Sequence, residues 1–197
     1  ILEKEIELHK IAAAYLNGFK KNKLNRLMKR TGGLNSIFED TYSNLHLQTG
    51  LAFSTLQNMK REKALRKAQL NFEFNKSHRI RSIFIDDDTF PHQLKECKDG
   101  PIQLNVLGEI SLKNKKILSI VGTRKCSQSS KQIVEQLISS LRDLNIIVVS
   151  GLASGIDTLV HRYCLKYRVP TTAVLGHGLN MIYPKENRSL AKEIIDS

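Results

Sequence analysis

A parallel, doubly wound α/β sheet behind a small all-helical domain is the architecture this 197-residue sequence predicts. Three observations predict it. Apolar residues recur at helical spacing through the first 75 positions. From residue 115 onward, short apolar runs alternate with amphipathic segments, strand then helix. Each of those runs ends at a loop containing glycine, the residue that lets a chain turn sharply out of a sheet.

Residues 1–75 read as a bundle of short helices. The spacing groups Ile11, Tyr15, Leu16 and Phe19, then Leu24, Leu27 and Met28, then Leu56, Met59, Leu65, Ala68 and Phe72. Breaks fall at TGG (31–33) and TG (49–50). Through Lys76 this part holds 14 basic and 7 acidic residues, most of the lysines being expected on solvated faces. Residues 76–112 read as a connecting extension of the α/β domain. A strand-like run at Ile83–Ile85 meets three aspartates, and "PIQLNVLGEI" supplies a second strand between Pro101 and Gly108. Asp86–Asp88 read as a turn, because consecutive acids on one loop rarely converge on a metal ion.

The α/β domain spans 113–197. Ile117–Val121 is its first strand. Ser127 is placed to cap a helix with Ile133, Val134, Leu137, Ile138, Leu141 and Leu144 on one face. Ile146–Val149 is apolar throughout, as a strand covered on both faces should be. A helix over Ile156–Tyr167 buries Leu159, Val160 and Tyr163. "TTAVL" (171–175) is a third strand, and a last helix begins near Glu186. Right-handed crossovers make such a sheet parallel and Rossmann-like. Three strands are half of such a sheet. We therefore expect a domain truncated on its C-terminal side, from a longer protein or completed by a partner. The opening ILEKEIELHK, without a methionine, points to a missing or trimmed N-terminus.

Lys and Arg number 31 against 19 acids, a formal charge of +12, which makes nucleic acid the first partner to consider. Cys97, Cys126 and Cys164 are widely spaced without a CxxC pair. That suggests neither a zinc site nor a disulfide framework and fits a cytoplasmic protein. No apolar run is long enough to span a membrane, and the N-terminus lacks the features of a signal peptide. No metal or cofactor is expected.

Ligands of a doubly wound sheet bind beyond the carboxyl ends of its strands. Three loops lie there: "GTRKCS" (122–127), "SGLASGID" (150–157) and "GHGLNMIYPKEN" (176–187). Glycines allow close backbone approach, and helix N-termini add partial positive charge, so an anion site is expected. The NAD fingerprint GxGxxG is absent after Gly122, and so is the P-loop pattern GxxxxGK[ST]. Arg124 instead suggests a fork gripping a phosphate. The alternative at this position is a surface arginine paired with an acid such as Asp157. Ser150, Asp157, His161 and His177 do not form a hydrolase: the nucleophile elbow GxSxG is absent, and Asp157 and His161, four apart on one helix, can pair with each other. Tyr183 and Pro184 are expected to pack the third loop, with Asn187 tying its backbone; the alternative for Tyr183 is stacking on a base.

Taken together, "SIVGTRK", "VVSGLASGIDTLVHR", "AVLGHGLNMIYPKENRSLA" and, more loosely, "FPHQLKECKDGPIQLNVLGE" resemble the DNA-processing protein A family (DprA, also called Smf) over residues 83–197. Residues 1–75 resemble, in helicity and position, the small SAM- or helix-hairpin-helix-like domain that many members carry. The resemblance implies a non-enzymatic, dimeric protein that binds single-stranded DNA. It protects incoming strands during natural transformation and helps load the RecA recombinase. By the same resemblance Arg124 grips the phosphate and Gly122 and Thr123 shape its loop. Ser150, Gly151, Gly155 and Asp157 form the second wall. Lys125, beside Arg124, either adds to the same field or points to solvent. The competing reading is a nucleotide-binding enzyme of related architecture, nucleotide phosphoribohydrolase-like. Its PGGxGTxxE-type string is absent from this sequence.

Overall fold

The computed structural model describes residues 2–109 and 115–197. The chain folds as two compact units, Ile1–Val106 and Leu107–Ser197.

Six helices build most of the first unit: α1 (Leu2–Ala13), α2 (Lys21–Thr31), α3 (Leu34–Glu39), α4 (Tyr42–Thr49), α5 (Phe53–Asn58) and α6 (Arg61–Ser77). The glycine breaks read from the sequence do terminate helices. Gly32 and Gly50 follow α2 and α4 in the left-handed conformation that a side chain disfavours. Ile11, Leu16, Phe19, Leu24, Leu27, Ile37, Leu45, Leu56 and Met59 meet in one buried core. Beyond α6, β1 (Arg81–Phe84) pairs antiparallel with β2 (Gln103–Val106), in the register Arg81↔Val106 to Phe84↔Gln103. A short helix, α7 (His92–Glu96), lies between them in sequence. Phe84 and Ile102 pack into the helical core, so residues 76–106 fold with the helices that precede them. The aspartates after β1 make a turn: Asp87 accepts a hydrogen bond from the Phe84 amide at 2.7 Å, and Lys10 pairs with Asp86 at 2.6 Å.

The second unit holds β3 (Lys116–Ser119), β4 (Ile146–Ser150) and β5 (Thr171–Ala173), parallel and in the order β3–β4–β5. Crossover helices α8 (Gln128–Ser140) and α9 (Ile156–Tyr167) connect them, and α10 (Arg188–Asp196) follows a 3₁₀ turn at Lys185–Asn187. The expected strand–helix alternation is therefore present. The first and third strands are shorter than the apolar runs that announced them, ending at Ser119 and Ala173. Val121 and Val174 are exposed instead, on the loops that follow. Ser127 caps α8 as expected, its hydroxyl accepting from the Ser130 amide at 3.1 Å.

One expectation for α8 fails. Val134, Ile138 and Leu141 are buried, but Ile133 is 64% exposed, and Leu137 and Leu144 are exposed as well. At 100° per residue, 134–138–141 and 133–137 are adjacent but separate stripes, and Leu144 lies beyond the helix, which ends at Ser140. Only the first faces the core that α8 shares with Val148, Val160, Cys164 and Val169.

Candidate functional site

The first loop begins where β3 ends. Gly122, Thr123, Arg124 and Lys125 are all exposed. The Thr123 hydroxyl accepts from the Lys125 amide at 3.2 Å, which closes a tight turn around Arg124. Among the described residues, no acceptor meets the backbone N–H groups of Gly122, Thr123 or Arg124. Nor does any acid pair with Arg124 or Lys125, so the alternative of an Arg124–Asp157 pair is not what the chain adopts. Three successive amides and a guanidinium thus stand free at one strand end.

The second loop supports the first from beneath. Gly155 has φ +87°, and a Cβ there would stand 2.2 Å from the Thr123 carbonyl oxygen and 2.7 Å from the Arg124 Cα. Only glycine permits this approach. The Ile156 amide then donates to the Thr123 carbonyl at 3.1 Å, fixing the loop at the start of α9. Gly122 is needed for a related reason: a Cβ would meet Ile156 Cγ1 at 2.6 Å.

Ser150 and Asp157 lie below the surface, 2% and 6% exposed. The Ser150 hydroxyl donates to the Ile120 carbonyl at 2.6 Å, tying the ends of β3 and β4 together. Asp157 accepts from the amides of Gly151 (3.1 Å) and Ala153 (3.4 Å). A carboxylate at the first turn of α9 is also favoured by the helix dipole. The eight residues singled out from the sequence therefore split by position. Gly122, Thr123, Arg124 and Lys125 are at the surface, Gly151 and Gly155 are half-buried, and Ser150 and Asp157 are internal struts.

His161 does not pair with Asp157 by a hydrogen bond. It is fully buried, and its Nδ1 lies 2.8 Å from the Thr171 hydroxyl. That hydroxyl donates to the Val148 carbonyl at 3.0 Å, so it accepts from Nδ1–H. Nε2 has no partner at hydrogen-bond geometry among the described residues. Burial pulls the imidazole down to about 4, against the opposing pull of the Asp157 carboxylate and the Ser150 backbone. The Thr171 bridge between α9, β5 and β4 is not among the sequence expectations; a threonine opening a half-buried strand was the available signal.

The third loop departs from expectation at Tyr183, which is 65% exposed and does not pack the loop. Asn187 does act as a tie, but to the second loop. Its side-chain amide donates to the Leu152 carbonyl and the Thr158 hydroxyl, both at 2.8 Å. Among the described residues no group of three or more His, Cys, Asp or Glu side chains is arranged to hold a metal ion. No described helix is long and apolar enough to cross a membrane.

Known proteins match this arrangement. A family model described as DNA recombination-mediator protein A matches residues 81–197. DNA processing protein DprA of Streptococcus pneumoniae is 39% identical over 123 residues, covering 62% of this chain and 42% of that protein. A crystal structure of the Streptococcus pneumoniae protein superposes with a TM-score of 0.71 at 30% identity, over 98% of this chain and 64% of that one. A structure of DNA processing protein A from Helicobacter pylori, reported for its single-stranded DNA binding mode, superposes with a TM-score of 0.51 at 26% identity. It covers 59% of this chain and 51% of that one. The chain thus spans less than half the length of the Streptococcus relative in sequence and under two thirds of its solved structure. With the strand-end loops, the parallel sheet and the match over more than half its residues, this chain belongs to the DNA recombination-mediator protein A family, the DprA/Smf proteins.

Proposed function

We propose that the second unit grips the backbone of single-stranded DNA, with one phosphate seated between the Arg124 guanidinium and the amides of Gly122, Thr123 and Arg124. The observation that carries this reading is the set of unpartnered donors at the end of β3. A planar guanidinium makes paired, charge-assisted hydrogen bonds to a phosphate. Free amides beside it add directed donors that cost little to reorganise. Lys125 strengthens the local field. Ser150, Gly151, Gly155 and Asp157 act one layer down, holding the second loop against the first. The single-strand binding reported for the Helicobacter relative supports the choice of ligand. In the whole protein this grip serves a non-enzymatic, cytoplasmic homodimer that protects incoming strands during transformation and passes them to the RecA recombinase.

The test is titration of a labelled oligothymidine with wild type and Arg124→Ala across a salt series. Loss of one phosphate contact lowers affinity and makes the log–log salt slope shallower by about 0.7. Unchanged affinity and slope would refute the assignment. Turnover of nucleoside monophosphates by the purified chain would point instead to a nucleotide-processing enzyme.

A further inference from the structure

Residues 8–38 contain seven basic residues and no acid. Most of that charge sits on α2. Its inward side, Leu24, Leu27 and Thr31, is buried in the helical core. Its outward side consists of Asn22, Lys23, Asn25, Arg26, Lys29 and Arg30, all exposed. At 100° per residue these six occupy an arc of about 160° composed only of hydrogen-bond donors and cations.

This row is costly for the helix. Lys23, Arg26 and Lys29 repeat at three-residue spacing, where like charges repel. Lys21 and Lys23 stand in the first turn, where the helix dipole disfavours cations. Lys21 relieves its charge by turning inward to the carbonyls of Lys95 and Cys97. Arg30 donates to the Thr49 carbonyl at 2.5 Å. Lys23 rests over the Phe19 ring, 4.3 Å from its centroid. Arg26 and Lys29 meet no acid and no acceptor among the described residues. The helices packed against α2 offer little compensation: α4 has no acid, and α3 has only Glu39, which lies 3.9 Å from His9. By contrast α1 and α6 intersperse glutamates with their lysines.

We infer that the outer face of α2 is a second contact surface for nucleic acid, binding the phosphate backbone without reading sequence. The absence of apolar side chains on that face argues against insertion into a membrane surface, which needs an apolar face free to bury. Regularly spaced cations with interleaved asparagine donors suit a chain of phosphates, which supplies both the counter-charge and the acceptors. The inference concerns the helical unit alone and needs nothing from Arg124.

The experiment compares wild type with Lys23→Gln/Arg26→Gln/Lys29→Gln, in the native background and with Arg124→Ala, titrating oligothymidine across a salt series. The double variant Arg26→Gln/Lys29→Gln removes two side chains that make no hydrogen bond or ion pair among the described residues, and circular dichroism checks helicity. Removing three charges makes the log–log slope shallower by about 2, and removing two by about 1.4, in both backgrounds. An unchanged slope in the triple variant, with helicity retained, overturns the inference whatever Arg124→Ala does. Binding to phosphatidylglycerol vesicles that the triple variant loses, with oligothymidine binding intact, overturns it in favour of a membrane surface. If the α2 variants change the slope while Arg124→Ala does not, this surface stands and the strand-end grip falls.

Discussion

Gly155 shows how one residue's missing side chain shapes the site. Its backbone lies against Thr123 and Arg124 so closely that a methyl group would overlap the Thr123 carbonyl. Gly155→Ala must push the two loops apart and hold an unfavourable φ. We expect a loss of roughly 1–3 kcal/mol in stability together with weaker oligothymidine binding. Gly176→Ala is the matched control: a Cβ there meets nothing within 4 Å, and melting temperature and affinity should stay at wild-type values. Equal behaviour of the two variants would contradict the packing role given to Gly155. His161 makes a separate prediction. Its neutral form is favoured in the folded chain, where its pKa is about 4. In the unfolded chain it titrates near the ordinary value of about 6.5. Between these values the unfolded state binds the extra proton, so stability is full above about pH 6.5 and declines as pH falls toward 4. Melting temperature measured from pH 7 to pH 5 should fall, and the fall should be shallower in His161→Leu. Parallel curves would show that another group sets the pH dependence.

At the scale of the element, the strand–helix alternation was legible because each crossover helix buries a helical stripe and each strand is a short apolar run. The capping serine was legible too, since its hydroxyl satisfies an amide that the helix leaves open. Ser127→Ala should cost about 1 kcal/mol, read as a lower melting temperature with binding retained; no change would mean that water replaces the cap. What periodicity did not give was the width of the buried stripe on α8. Ile133 and Leu137 differ from Val134 and Ile138 only by which stripe the packed neighbours cover, and that depends on the sheet and on α9. Tyr183 departs from expectation for a similar reason: an aromatic beside a proline reads as packing, yet the side chain is left 65% exposed. The inward turn of Ser150 and Asp157 was hidden as well. A serine and an aspartate in a glycine loop look the same in sequence whether they face a ligand or brace the backbone.

Over the whole molecule, two compact units carry basic surfaces of different construction. In the second, a single guanidinium stands with free backbone amides at the rim of a parallel sheet. In the first, a row of side-chain cations follows one helix. The formal charge of +12 announced a polyanion but could not say where it binds. The central claim is that Arg124 holds a backbone phosphate, and it is tested most directly by removing the charge from each side in turn. Oligothymidine and its uncharged methylphosphonate counterpart would be titrated with wild type and with Arg124→Ala at one low salt concentration. The account predicts that Arg124→Ala weakens binding of the charged strand on the order of tenfold, one charge-assisted contact, and leaves binding of the uncharged strand unchanged. Equal weakening of both strands would contradict it, because the arginine would then be touching something other than phosphate.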